Sequence, residues 1–213
     1  MACLLKNKDV SYLNKELLNE GLLQIKPASF YDNIPQDHLA IWCHKNGIYG
    51  LPTTELIDWL KNEIIGDAIE IGAGNGSIGR AFDIPITDAC VMKRPEVQLY
   101  YKMGRQPITT YPEDIIELSA IEAISKYKPD TVIGCWVTHL YQEDDSDRGG
   151  SIYGIDEKDL LTKVKKYIVI GNKTVHGIKK ILERDHKEYT FPWLFSKSMH
   201  SNKNIIYVWE QYP

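Results

Sequence analysis

The feature that most constrains the fold is "AIEIGAGNGSIG", Ala68 to Gly79, a short apolar run that breaks into four glycines. Four apolar-patterned residues suit a buried strand, and glycine is required where a strand turns sharply into a helix and its backbone must approach something without a Cβ between. After this point short apolar runs alternate with helical segments: Ala68 to Ile71, Ile84 to Thr87, Ile115 to Leu118, Thr131 to Val137 and Tyr167 to Ile170. That alternation predicts an α/β sheet. "SAIE", with Ser119 at the cap and Glu122 three residues on, is a capping box and sets a strand-to-helix junction at Leu118 and Ser119.

The first 65 residues read differently, as a helical extension ahead of a second unit over 66–213. Val10, Leu13, Leu17 and Leu18 recur at helical spacing behind Asp9 or Ser11 and stop near Gly21. A second helix is predicted from Asp37 to Lys45, ended by Asn46 and Gly47. A third follows in "LPTTELIDWLKNEI", capped by Thr53 and striped by Leu56, Ile57, Leu60 and Ile64. At the other end "EYTFPWLF" and "NIIYVWEQY", joined by the polar "SKSMHSNK", predict an antiparallel pair.

With 25 basic against 29 acidic residues the chain lacks the basic face that non-specific nucleic-acid binding needs. Cys3, Cys43, Cys90 and Cys135 have no C-x-x-C spacing, so reduced thiols in the cytoplasm are expected and neither a zinc site nor a disulfide framework is suggested. No apolar run approaches the roughly 18 residues of a membrane span.

The glycine stretch admits two readings. From Gly74 it spells G-x-G-x-x-G, a dinucleotide fingerprint; from Glu70 it spells E-x-G-x-G-x-G. A pyrophosphate at the turn is anionic and would be repelled by Glu70, whereas S-adenosylmethionine (SAM) brings an ammonium and a sulfonium that a carboxylate suits. Asp88, closing "IPITD", is placed to accept from ribose hydroxyls in either case.

Glu70, Gly72, Gly74, Gly76 and Asp88, followed by the terminal strand pair, resemble a class I (Rossmann-like) SAM-dependent methyltransferase over residues 68 to 211. The resemblance implies a seven-stranded, mostly parallel sheet of order 3-2-1-4-5-7-6 with the last strand antiparallel, and SAM as cofactor. It also implies that SAM is held by Glu70, Gly72, Ala73, Gly74, Asn75, Gly76, Asp88 and Ala89, with Leu118 and Ser119 at the adenine and Cys135 and Trp136 beside the methyl group. Three features depart from that family. "SIGRAFD" leaves little room for the first helix, Ser119 stands where an acid is common, and strand four ends "GCWVTHLY" without the D/N/S-P-P-Y/F of base amino-methylation.

His139, just past strand four, and Trp136 are the candidate catalytic residues, with His176 after strand five as a second imidazole. Tyr49 in "GIYGLP" is a further candidate contact to SAM. Glu143, Asp144, Asp145 and Asp147 concentrate acid in one loop, read as solvated and not as a metal site. The expected activity is methyl transfer to a small molecule. A SAM-fold binding protein without transfer activity and a nicotinamide-dependent oxidoreductase are the alternatives.

Overall fold

A computed structural model describes residues 8–104, 106 and 108–211 of the chain. Cys3 lies outside the described residues. A 3-10 turn over Ser11–Leu13 leads into α1, Asn14–Leu17. The helix stops there, short of Gly21, because the chain reverses in a hairpin of β1, Leu18–Asn19, and β2, Leu22–Leu23, with Glu20 and Gly21 both at positive φ. After α2, Ala28–Tyr31, comes α3, Gln36–Asn46, which ends on Gly47 in the left-handed conformation. A short strand, β3, Gly50–Leu51, precedes α4, Thr54–Glu63, where the Thr53 hydroxyl accepts from the Leu56 N–H at 3.1 Å. Leu13, Leu17, Leu39, Trp42 and Leu51 bury one another in a cluster of their own. By contrast, α4 turns Leu56 and Leu60 toward the main sheet, each such buried side chain contributing about 1.5–3 kcal/mol.

The rest of the chain runs β4, Ala68–Ile71; α5, Ser77–Phe82; β5, Thr87–Asp88; α6, Pro95–Met103; β6, Ile116–Glu117; α7, Ala120–Tyr127; and β7, Thr131–Cys135. It continues with α8, Glu157–Leu161; β8, Lys166–Asn172; α9, Lys173–His176; β9, Lys187–Tyr189; β10, Phe195–Ser196; and β11, Asn204–Glu210. The main sheet has five strands in the order β4-β7-β8-β11-β9. β4, β7 and β8 are parallel, while β11 runs antiparallel to both β8 and β9. Side chains alternate cleanly between its faces: Val132, Tyr167, Ile205 and Tyr207 pack with Ala123 and Ile124 of α7 and Leu160 and Leu161 of α8. Ile133, Ile168, Ile206 and Val208 meet α4 on the other side.

The seven-stranded, mostly parallel sheet expected from the sequence is corrected by this topology. β5 and β6 form a separate two-stranded parallel ribbon, and it touches β4 through one isolated bridge, Glu70 to Ile86. Pro85 explains the interruption. It has no N–H to give, so only its carbonyl joins the ladder, accepting from the Glu70 N–H at 3.0 Å, and the Glu70 carbonyl takes the Thr87 hydroxyl at 2.9 Å. The terminal pair is also narrower than its aromatic content suggests. β9 pairs with β11 over Lys187–Tyr189, and after Pro192 the chain leaves that sheet, so that Phe195 and Ser196 pair with Leu51 and Gly50. Among the described residues no helix is long and apolar enough to cross a membrane.

Candidate functional site

A cavity of about 260 Å³ opens where β4 and β7 end, on the carboxyl side of the parallel strands, the side on which open α/β sheets bind ligands. It gathers Glu70, Gly72, Ala73, Gly74 and Asn75 from the glycine bend, Asp88 and Ala89 from the end of β5, and Ser119 from the start of α7. Cys135 and Trp136 from the end of β7 face it with Tyr49 from the N-terminal part. Three candidates fall elsewhere. Leu118 packs against the sheet core. Gly76 faces Ile86 and Ile115, whose side chains would lie 2.7 and 2.8 Å from any Cβ, so its missing side chain serves packing. His139 lines a second cavity.

Glu70 is 1% exposed, and its Oε2 accepts from the Gly79 N–H at 2.7 Å. Burial raises its pKa to about 8, against the opposing pull of that hydrogen bond and of the Arg80 charge. Arg80 does not pair with it: the guanidinium is held by Asp114 through two hydrogen bonds of 2.6 and 2.8 Å. Asp88 takes the Gly74 N–H on Oδ2 at 3.0 Å and the Cys90 N–H on Oδ1 at 2.8 Å. Burial raises its pKa despite those donors. A carboxylate oxygen accepts more than one hydrogen bond, so Asp88 retains capacity for a diol at the cavity wall.

Asn75 is committed to the fold. Its Oδ1 accepts from the Leu23 N–H at 2.8 Å and its Nδ2 donates to the Gly21 carbonyl at 3.1 Å, which latches the β1–β2 hairpin onto the glycine bend. The Thr109 hydroxyl donates to the Gly47 carbonyl at 3.1 Å and ties the segment after α6 to the end of α3. These two clamps bring segments distant in sequence to the cavity wall. Tyr101, Thr109 and Tyr111 line it as well; no periodicity or motif marks them, because each reaches the site from an irregular stretch or a helix side.

Trp136 sits at φ 61°, in the left-handed region that bulky residues avoid. Such a conformation costs of order 1–3 kcal/mol and is typical of positions where side-chain placement matters. Its N–H is held by the Ile170 carbonyl at 2.8 Å. The ring meets Tyr49 at 6.1 Å between centroids and stands edge-on to His176 at 5.2 Å. His176 is buried, accepts the Asn172 N–H on Nδ1 at 3.0 Å, and has its pKa lowered to about 3, first by burial and then by the Lys179 charge. It is a neutral structural imidazole.

The second cavity, about 370 Å³, meets the first at Ile155 and Asp156, which line both. At its edge the His139 Nε2 is buried without a hydrogen-bond partner, and burial lowers the His139 pKa. Beneath it Glu157 accepts from the Tyr167 hydroxyl at 2.9 Å and from Lys179. In the acidic loop, Glu143, Asp144 and Asp147 are exposed on a 3-10 turn, and the Asp145 side chain lies outside the described residues. Among the described residues no three His, Cys, Asp or Glu side chains converge as metal ligands.

No protein-family model matches the chain, and no curated protein is similar to it. A solved structure of Thermoplasma acidophilum 1320 overlaps 81% of this chain and 94% of its own length at 13% identity, with a TM-score of 0.32. At that score the overlap bears on neither fold nor function.

Proposed function

We propose that this chain is a SAM-dependent methyltransferase acting on a small molecule in the cytoplasm. One observation carries the reading: a buried carboxyl, Glu70, and a second, Asp88, bracket a glycine bend that opens into a cavity walled by Tyr49 and Trp136. The residues fit the cofactor. Among the described residues Glu70 uses only Oε2 internally, leaving Oε1 for a cationic amino-acid end, and Asp88 is placed for a ribose diol. At Gly74 an added Cβ would meet nothing nearer than 3.5 Å, so the bend is open to a ligand.

When bound, SAM supplies a methyl group already activated on a sulfonium. The chain's part is to hold donor and acceptor in line, which can account for several orders of magnitude in rate. Glu70 and Asp88 would hold the amino-acid end and the ribose of the donor, and the Trp136 and Tyr49 rings orient a planar acceptor. The acidic balance of the chain and a cavity of about 260 Å³ favour a small acceptor over a nucleic acid. Unpaired Cys43, Cys90 and Cys135 suit a reducing compartment.

Isothermal titration with SAM and S-adenosylhomocysteine tests the donor. Saturable binding is expected, and no heat at high micromolar ligand with folded protein would refute it. A second reading, a SAM-binding protein without transfer activity, is favoured by one observation: among the described residues no imidazole lines the cavity. Label transfer from SAM into any small-molecule fraction of an extract separates the two.

A further inference from the structure

Against the Tyr49 and Trp136 rings of the cavity wall, and not itself among the residues that line the cavity, lies a largely buried amine without a counter-ion. Lys197 follows β10, and its backbone N–H donates to the Tyr49 carbonyl at 3.0 Å, which anchors the stem. Its Nζ stands 3.9 Å from the Tyr49 ring centroid and 5.4 Å from that of Trp136, and both rings line the cavity. The other buried lysines are treated differently. Lys179 is paired with Glu157, and Lys166 lies 3.0 Å from both Glu63 and Glu210. Among the described residues no carboxylate pairs with Lys197 and no hydrogen bond reaches its Nζ. Its titratable neighbour Cys43 is buried with its thiol pKa raised, so it brings no negative charge.

An ammonium out of water without a partner is unfavourable, and ring faces offset only part of that. Burial lowers the Lys197 pKa to about 8, which leaves the amine mostly charged at neutral pH. The Lys197 charge also helps to push the His176 pKa down, behind burial and Lys179. Glu70, at the glycine bend, supplies the opposite sign. A flexible four-carbon stem lets the ammonium move along the ring faces toward a ligand.

We propose that Lys197 is the receptor for a ligand carboxylate at the Trp136 end of the cavity, brought either by the acceptor or by the amino-acid end of the methyl donor. This deepens the methyltransferase reading and rests on it for the choice of donor. Calorimetric titration of the full chain distinguishes the sources. Benzoate binding about ten-fold more tightly than benzamide would assign the carboxylate to the acceptor. S-adenosylhomocysteine binding about ten-fold more tightly than its decarboxylated analogue would assign it to the donor. Either preference should vanish in Lys197→Met, which keeps the stem's packing, and persist in Lys197→Arg.

No preference in either pair with the wild-type protein overturns the proposal, as does a preference unchanged in a folded Lys197→Met. The arms also separate this inference from the donor reading. A benzoate preference without any S-adenosylhomocysteine binding keeps the receptor and removes the donor; S-adenosylhomocysteine bound equally by all three proteins and no better than its analogue, with benzoate no better than benzamide, does the reverse.

Discussion

Glu70 and Gly74 are where the chemistry of the cavity rests on single residues. Replacing Glu70 by Gln keeps an acceptor for the Gly79 N–H and removes the ionisable group, so the fold should persist. A hydrogen bond to a charged group contributes about 1.5–3 kcal/mol, so Glu70→Gln is expected to weaken SAM binding by roughly ten- to a hundred-fold, read by calorimetry. Unchanged affinity would show that the carboxylate does not meet the ligand. Gly74 has φ 56°. Gly74→Val would cost about 1–2 kcal/mol from the left-handed backbone alone, lowering the melting temperature modestly while its side chain fills the bend and abolishes binding. Both positions are legible in the sequence because a glycine-rich turn after an apolar run has few other uses. Thr109 and Tyr111, which line the cavity, and Lys197, which sits on the Tyr49 and Trp136 rings, are not, because each is placed by tertiary contacts that no local spacing encodes.

Elements divide in the same way between local and distant causes. The capping box of α7 forms as its residues predict, with the Ser119 N–H donating to Glu122 at 2.9 Å and the Ser119 hydroxyl accepting from the Glu122 N–H at 3.4 Å, since both partners lie within one turn. Ser119→Ala should cost about 1 kcal/mol in denaturant unfolding; no loss would mean that the cap is dispensable. The β1–β2 hairpin and the β3–β10 pairing could not be read from spacing, because each depends on a partner far along the chain. Asn75 is 52 residues from Leu23, and Pro192 redirects the chain toward Gly50 and Leu51. Asn75→Ala would leave the buried Leu23 N–H unpaired at about 1–3 kcal/mol. Hydrogen exchange at the Leu23 amide should accelerate in that variant while β8 and β11 stay protected; equal protection would show that the hairpin holds without the latch.

Across the whole molecule, buried groups of opposite behaviour set how stability responds to pH. Glu70 has a folded pKa of about 8 against an ordinary 4.5, so between those values the folded state holds a proton that the unfolded state has lost. Its contribution is full below 4.5 and disappears as pH rises through 8, at up to about 1.4 kcal/mol per pH unit. His176 works in the other direction: its pKa falls from 6.5 to about 3, so its contribution grows as pH rises toward 6.5. Between 4.5 and 6.5 the two oppose each other, and the Glu70 loss stands uncovered from 6.5 to 8. The melting temperature of the wild type relative to Glu70→Gln should therefore fall across that upper window; a constant difference would refute the buried protonated carboxyl. A cation docking against Glu70 would favour its ionised form, so SAM binding at neutral pH should expel a proton. Calorimetry in two buffers of different ionisation enthalpy measures that proton directly. Release in the wild type that is absent in Glu70→Gln would place the ligand's positive end at this carboxyl, and identical heats in both buffers would place it elsewhere.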